Sequence, residues 1–227
     1  MYEFENHKYL LLDLPDLKTK NMKKTLLIAW LTLGFGSAVV AQEKGKVEFG
    51  FNIGYNSAAV SNSEDTADGI SGLNVGAMAD YYFSDRWSIK AKLIYDQKGW
   101  SNGYILDLDT GNDFTTDFRL DYLTVPVMAN WHFGGKRNWY LNFGLYSGFL
   151  LNAEDSRFGM DLKDGFKSVD VGLALGIGVK IPVTDKLKIS LEFDGQSGFT
   201  DIFEANENSA VTNSRSAFNA GIVFLMK

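Results

Sequence analysis

The sequence predicts an all-β chain: an eight-stranded antiparallel transmembrane β-barrel with short periplasmic turns and long extracellular loops. Three observations predict it. From Val47 onward, apolar and other residues alternate with a period of two through eight runs. The connections between runs alternate between tight turns and long polar loops. One face of every run is apolar and carries no charge.

The runs follow in order. Val47, Phe49, Phe51, Ile53 and Tyr55 form the apolar face of the first. The second has Leu73, Val75, Ala77, Ala79, Tyr81 and Phe83; the third has Trp87, Ile89, Ala91, Leu93 and Tyr95. Leu123 to Phe133 and Trp139 to Leu151 supply the fourth and fifth. Val169 to Ile181, Leu187 to Phe193 and Phe218 to Met226 complete the set. An even number of strands is what a closed antiparallel barrel of this type uses. Ser84 to Arg86, Gly134 to Arg137 and Pro182 to Lys186 are expected as tight turns. Loops are expected over roughly 57–71, 99–118, 152–167 and 200–215.

The apolar faces contain 45 positions, and at the chain-wide charged fraction of 22% about ten charges would fall there by chance. None does, and Ser147 is the one polar side chain among them. Volume then decides which way the face points. An eight-stranded barrel has an interior just wide enough for side chains to fill it. Forty-five residues of Phe, Trp, Leu, Ile and Val size do not fit inside; the glycines, serines, asparagines and ions of the opposite face do. The apolar face is therefore expected to meet lipid, where a Lys or Arg at mid-bilayer costs about 2–4 kcal/mol. Phe83, Trp87, Trp131, Phe133 and Trp139 are expected as an aromatic belt at the turn end. Tyr55, Tyr95 and Phe149 are expected as the second belt, near the loops. Closure leaves no unpaired backbone edge in hydrocarbon.

Composition narrows the rest. The 227 residues hold 22 basic and 28 acidic side chains, a net charge of −6, which argues against a nucleic-acid partner. There is no cysteine, so disulfides, thiolate metal sites and cysteine nucleophiles are excluded. The two histidines, His7 and His132, are too few for a histidine-rich metal site.

The amino terminus reads as an address. Met22-Lys23-Lys24 is basic, Thr25 to Leu33 is apolar, and Val39-Val40-Ala41 offers small residues before Gln42. That is a secretory signal peptide over 22–41, cleaved after Ala41. Residues 1–21 place four acids ahead of the basic segment, so they are expected to be a misassigned upstream extension with Met22 as the first residue. The barrel domain is then 42–227, with a charge of 17 − 24 = −7.

Several residues carry candidate chemistry. Asp80, Lys90, Lys92, Asp96, Asp170, Lys180, Lys188, Glu192 and Asp194 are expected inside, paired across the lumen as a plug. His132 is expected inside near the turn end, with no nucleophile assigned to it. Asp107 to Asp113 has the opening of a calcium loop but no glutamate at its twelfth position, Phe118, and an acidic surface loop is expected there. The four loops together hold fourteen acids against four bases, Arg157, Lys163, Lys167 and Arg215. Pro126 lacks a ladder donor and marks a bulge or a bend. No catalytic, cofactor or metal residue is assigned, and no cofactor is expected.

The run Tyr122-Leu123-Thr124-Val125-Pro126-Val127 resembles a strand of the PorT-type outer-membrane β-barrel proteins of the Bacteroidota. Trp139 to Gly144 with Tyr146 to Leu151 is similar to the following strand of that family, and Val171 to Val179 to the next. The resemblance covers essentially all of 42–227. It implies export by a signal peptide, an eight-stranded barrel and insertion in the outer membrane, and it brings no catalytic residue. Barrels of this kind often end on an aromatic residue, whereas this chain runs Phe224-Leu225-Met226-Lys227. Phe224 is then the expected signal for the barrel-assembly machinery.

The expected function is structural, or binding through the loops, with the lumen filled. An accessory role in transport or secretion is the alternative the resemblance suggests, and a lipid-modifying enzyme is a third. The expected partners are outer-membrane lipids and lipopolysaccharide, the assembly machinery during insertion, and a protein at the extracellular loops.

Overall fold

A computed structural model describes residues 44–61, 67–106, 111–206 and 209–226. The upstream extension, the signal peptide and Asp107 to Thr110 of the acidic loop lie outside these residues. The strands are β1 (Val47–Ser61), β2 (Asp68–Tyr82), β3 (Trp87–Leu106), β4 (Asp113–Phe133), β5 (Trp139–Asp155), β6 (Val169–Pro182), β7 (Leu187–Gly198) and β8 (Thr212–Met226). Each pairs antiparallel with its neighbours in the chain. β1 also pairs with β8, from Val47 opposite Met226 to Ser61 opposite Thr212, so the ring is closed.

The alternation lands as the hydrophobic pattern requires. Phe51, Ile53, Leu73, Leu145, Leu175 and Phe218 are exposed on the outer face, while Asp80, Lys90, Asp96, Lys180 and Glu192 are buried. A slip of one residue would exchange the two faces, so the apolar rows fix the register. The turn-end belt is continuous. Trp87 lies 6.5 Å from Trp131, Trp131 5.1 Å from Phe133, and Phe133 6.5 Å from Trp139, between ring centroids. Along β5, ten residues separate Trp139 from Phe149. At about 3.3 Å per residue and a tilt near 40°, this is an apolar band about 25 Å tall.

Two features depart from the expected outline. The strands outrun the bilayer: β3 extends to Leu106 and β4 begins at Asp113, so most of 99–118 is a paired hairpin. Eleven residues of β3 lie beyond Tyr95, which carries the hairpin roughly 25–30 Å past the upper belt. Backbone pairing continues there because the ladder needs no hydrocarbon; only the outer face changes, from apolar to polar. Pro126 makes no bulge. The β3–β4 register is the same on both sides of it, but pairing is interrupted between Ala91 opposite Val127 and Ile94 opposite Thr124. That gap is what a missing N–H donor imposes.

Candidate functional site: an ion-filled lumen beneath an aromatic cap

Inward positions of six strands bring together six acids (Glu48, Asp80, Asp96, Asp170, Glu192, Asp194) and six bases (Lys90, Lys92, Lys98, Lys180, Lys188, Arg215), all buried. Near the turn end, Lys180 donates to Glu48 and, at 2.7 Å, to Asp80. Glu48 also accepts from Lys188 at 2.6 Å and from the Tyr82 hydroxyl at 2.9 Å. At mid-height Glu192 accepts from Lys90 (3.0 Å), Lys92 and the Asn142 amide (2.9 Å). Lys92 reaches on to Asp194 (3.1 Å), Asp194 pairs with Arg215, and Arg215 Nε donates to Asp96 at 2.9 Å. Towards the loops, Asp170 accepts from Lys98 (3.4 Å), Tyr146 (3.0 Å), Thr200 (3.0 Å) and Asn213 (3.1 Å).

A buried charge is tolerated when it is paired and hydrogen-bonded. Every one of these twelve has an opposite charge within 4 Å. Glycines on β6 make room for the rings between them. A Cβ at Gly178 would stand 2.4 Å from the Tyr140 ring, and one at Gly172 would stand 2.7 Å from the Tyr146 ring.

The nine lumen ions named from the sequence all lie inside, and the structure adds Glu48, Lys98 and Arg215. Arg215 does not belong to the acidic loops. It is in β8, and its guanidinium is fully buried between Asp96 and Asp194. His132 is buried against Ser88, with Ser88 Oγ 2.8 Å from His132 Nε2. The pair is sealed from both solvent and lipid, whereas Ser147 stands on the opposite, outer side of the wall.

Above the ions the loops close the barrel with an apolar cluster. Val60, Trp100, Phe118, Leu120, Tyr122, Leu150, Ala153, Phe166 and Ile202 are its buried members. Loop 156–168 and loop 199–211 are tied together over it. Phe166 pairs with Phe203 as an isolated bridge, the Lys167 N–H donates to Ile202 O (2.7 Å), and the Glu204 N–H donates to Gly165 O (3.1 Å). Single carboxylates hold the loop backbones. Asp155 accepts from the N–H groups of Phe158 (2.7 Å), Met160 (2.8 Å) and Arg157 (3.0 Å). Asp201 accepts from Phe203 and Val211 N–H and from the Asn206 amide.

Desolvation alone would raise the Asp155 carboxyl, but the three N–H donors outweigh it and hold the group below the ordinary carboxylate range. A carboxyl with a lowered folded-state pKa stabilises above its unfolded value, about 3.9, and that contribution is lost as pH falls through the folded value. Pepsin cleavage of loop 156–168 in membrane-embedded protein, divided by cleavage of an unstructured peptide at the same pH, is therefore expected to stay constant down to about pH 4 and rise below it. Asp155→Asn should raise cleavage above that pH as well. An unchanged cleavage rate in Asp155→Asn would show that the carboxylate does not hold the loop.

A closed ring with an apolar outside, belts of aromatic rings and ions within defines an outer-membrane β-barrel, with its long loops on the external side. Residues 40–204 match the family described as "Outer membrane protein beta-barrel domain", and the chain belongs to that family. Its location is the outer membrane.

Among solved structures it is similar to the outer membrane protein OprG of Pseudomonas aeruginosa. That match has 13% identity, covers 82% of this chain and 98% of that one, and has a TM-score of 0.49. It is similar also to Neisserial surface protein A (19%, 78% and 96%, TM-score 0.46). Ail, the attachment invasion locus protein of Yersinia pestis, matches as well (17%, 80% and 99%, TM-score 0.43). No curated protein matches the chain.

Proposed function

We propose that the protein is a non-conducting anchor that holds a structured loop cap at the cell surface for binding, without turnover. The carrying observation is the lumen. Twelve paired ions fill the narrow interior, and an apolar cluster lies over them on the loop side. Both layers are made of buried side chains, whereas a porin keeps a water-filled channel. A place in the PorT-type branch of the family, suggested by Tyr122 to Val127, belongs to the same proposal. So do lipopolysaccharide, the assembly machinery and a surface protein as partners.

Among the described residues the Ser88–His132 pair is the arrangement closest to hydrolytic chemistry, and it has no opening through which a lipid could reach it. The barrel is therefore read as non-enzymatic.

Conductance of the refolded protein in planar bilayers tests the reading. Silence is expected from samples whose folding is verified by heat-modifiable gel mobility. Stable unitary steps would overturn it.

A further inference from the structure

We propose that the cleft between loops 156–168 and 199–211 and the top of β3 is a binding site for an organic cation with an apolar or aromatic body. The inference rests on the loop-binding reading above and names its ligand class. The cleft has a volume of about 510 Å³ and is walled by the rings of Trp100, Phe118, Phe166 and Phe203, with the carboxylates of Asp161 and Asp164 at its edge. That size lies within the range of small-molecule sites.

The walls are built for the purpose. Trp100 stacks on Phe118 at 4.5 Å with the planes 13° apart, and Phe203 meets Trp100 edge-on at 6.2 Å. The β3 backbone is shaped around that stack. Register shifts between Trp100 and Gly103, and Gly99 has a φ of +130°. A Cβ at Gly103 would stand 2.4 Å from the Phe118 ring and 2.7 Å from Trp100 Nε1. A bulge of this sort re-aims side chains at a sheet rim.

Charge selects the ligand. Aromatic faces attract cations within about 6 Å. Among the described residues the lining contains two carboxylates and no base. Of the cations near it in sequence, Lys167 does not line the cleft and acts on Asp201, and the other two are engaged elsewhere. Lys163 donates its ammonium to Leu151 O at 3.1 Å, and the Arg157 guanidinium lies over Phe114 and Phe158. Among the described residues no ammonium or guanidinium pairs with Asp161 or Asp164. A neutral apolar guest would fill the ring box but bring no charge to the carboxylates, of which Asp161 accepts the Lys163 N–H at 3.0 Å. An anion would be repelled by them. A cation with an apolar body satisfies both features.

The test uses folded protein in phosphatidylcholine nanodiscs, with the Trp100 indole N–H followed by NMR. Benzyltrimethylammonium is titrated against its neutral isostere, neopentylbenzene. The cation is expected to shift the resonance and bind about tenfold more tightly than the isostere. Asp161→Asn with Asp164→Asn should remove that advantage. Both are exposed, so the variant should retain its heat-modifiable mobility. Phe203→Ala should weaken both probes, the cation at least as much as the isostere. Equal affinity for the two probes, a carboxylate variant that still prefers the cation, or no shift at all would each overturn the proposal. A silent planar bilayer with no probe response would remove this site and leave the plugged barrel standing. A conducting one would remove both.

Discussion

Lys180→Met is expected to destabilise the folded barrel by about 3–5 kcal/mol. Lys180 is wholly buried, and its ammonium answers two carboxylates, Glu48 and Asp80, while also donating to the Tyr82 hydroxyl oxygen at 2.9 Å. Methionine keeps the length of the side chain and removes the charge. Glu48 would retain Lys188, but Asp80 would lose its ion pair and, among the described residues, keep the Asn130 amide at 2.9 Å as its side-chain hydrogen bond. The cost is that of an uncompensated ion out of water rather than of a lost contact. Urea unfolding in phospholipid vesicles measures it. Adding Asp80→Asn to Lys180→Met should recover part of the loss, because the orphaned charge is then gone. A single variant as stable as the parent would mean that the lumen charges are not held as a network.

Leu145→Arg is expected to cost about 2–4 kcal/mol in the same assay. Leu145 stands on the outer face between the belts, opposite Val127 on one side and Leu173 on the other, and 57% of its surface is exposed. In water such exposure would make a charge harmless. In hydrocarbon it makes the charge expensive, so the substitution reports which solvent the face meets. Thr115→Arg serves as the control. Thr115 is exposed on the hairpin beyond the upper belt, and its replacement should change stability little. Equal, small effects at both positions would contradict the membrane assignment of the outer face.

The phase of every strand was legible because a two-residue period and a lipid solvent act on the same side chains. Lys92, Glu192 and Asp194 could be placed inside from their own strands alone. Their pairing could not. Lys90 meets Glu192 from 102 positions away, and closure and stagger of the ring, rather than any local pattern, set that contact. The polar hairpin above the bilayer was illegible for a different reason. Beyond Tyr95 the outer face turns polar at Ser101 and Asn102, so alternation stops reporting pairing although pairing continues. The cap was hidden by its irregular backbone. Trp100 sits beside a bulge, and Phe166 and Ile202 sit in loops where periodicity has no meaning. A usable trace was present nonetheless. Leu162, Phe166, Ile202 and Phe203 are large apolar residues in otherwise acidic loops, and solvated loops have no use for them.

The equal number of anions and cations in the lumen network has an electrical consequence. A membrane potential does work of about 2.3 kcal/mol per elementary charge per 100 mV on any charge it moves across the bilayer. Six positive and six negative groups interlocked as one body sum to zero. A field across the membrane therefore pulls the interior both ways with equal force. Such a cylinder has no gating charge, and depolarisation gives it nothing to respond to.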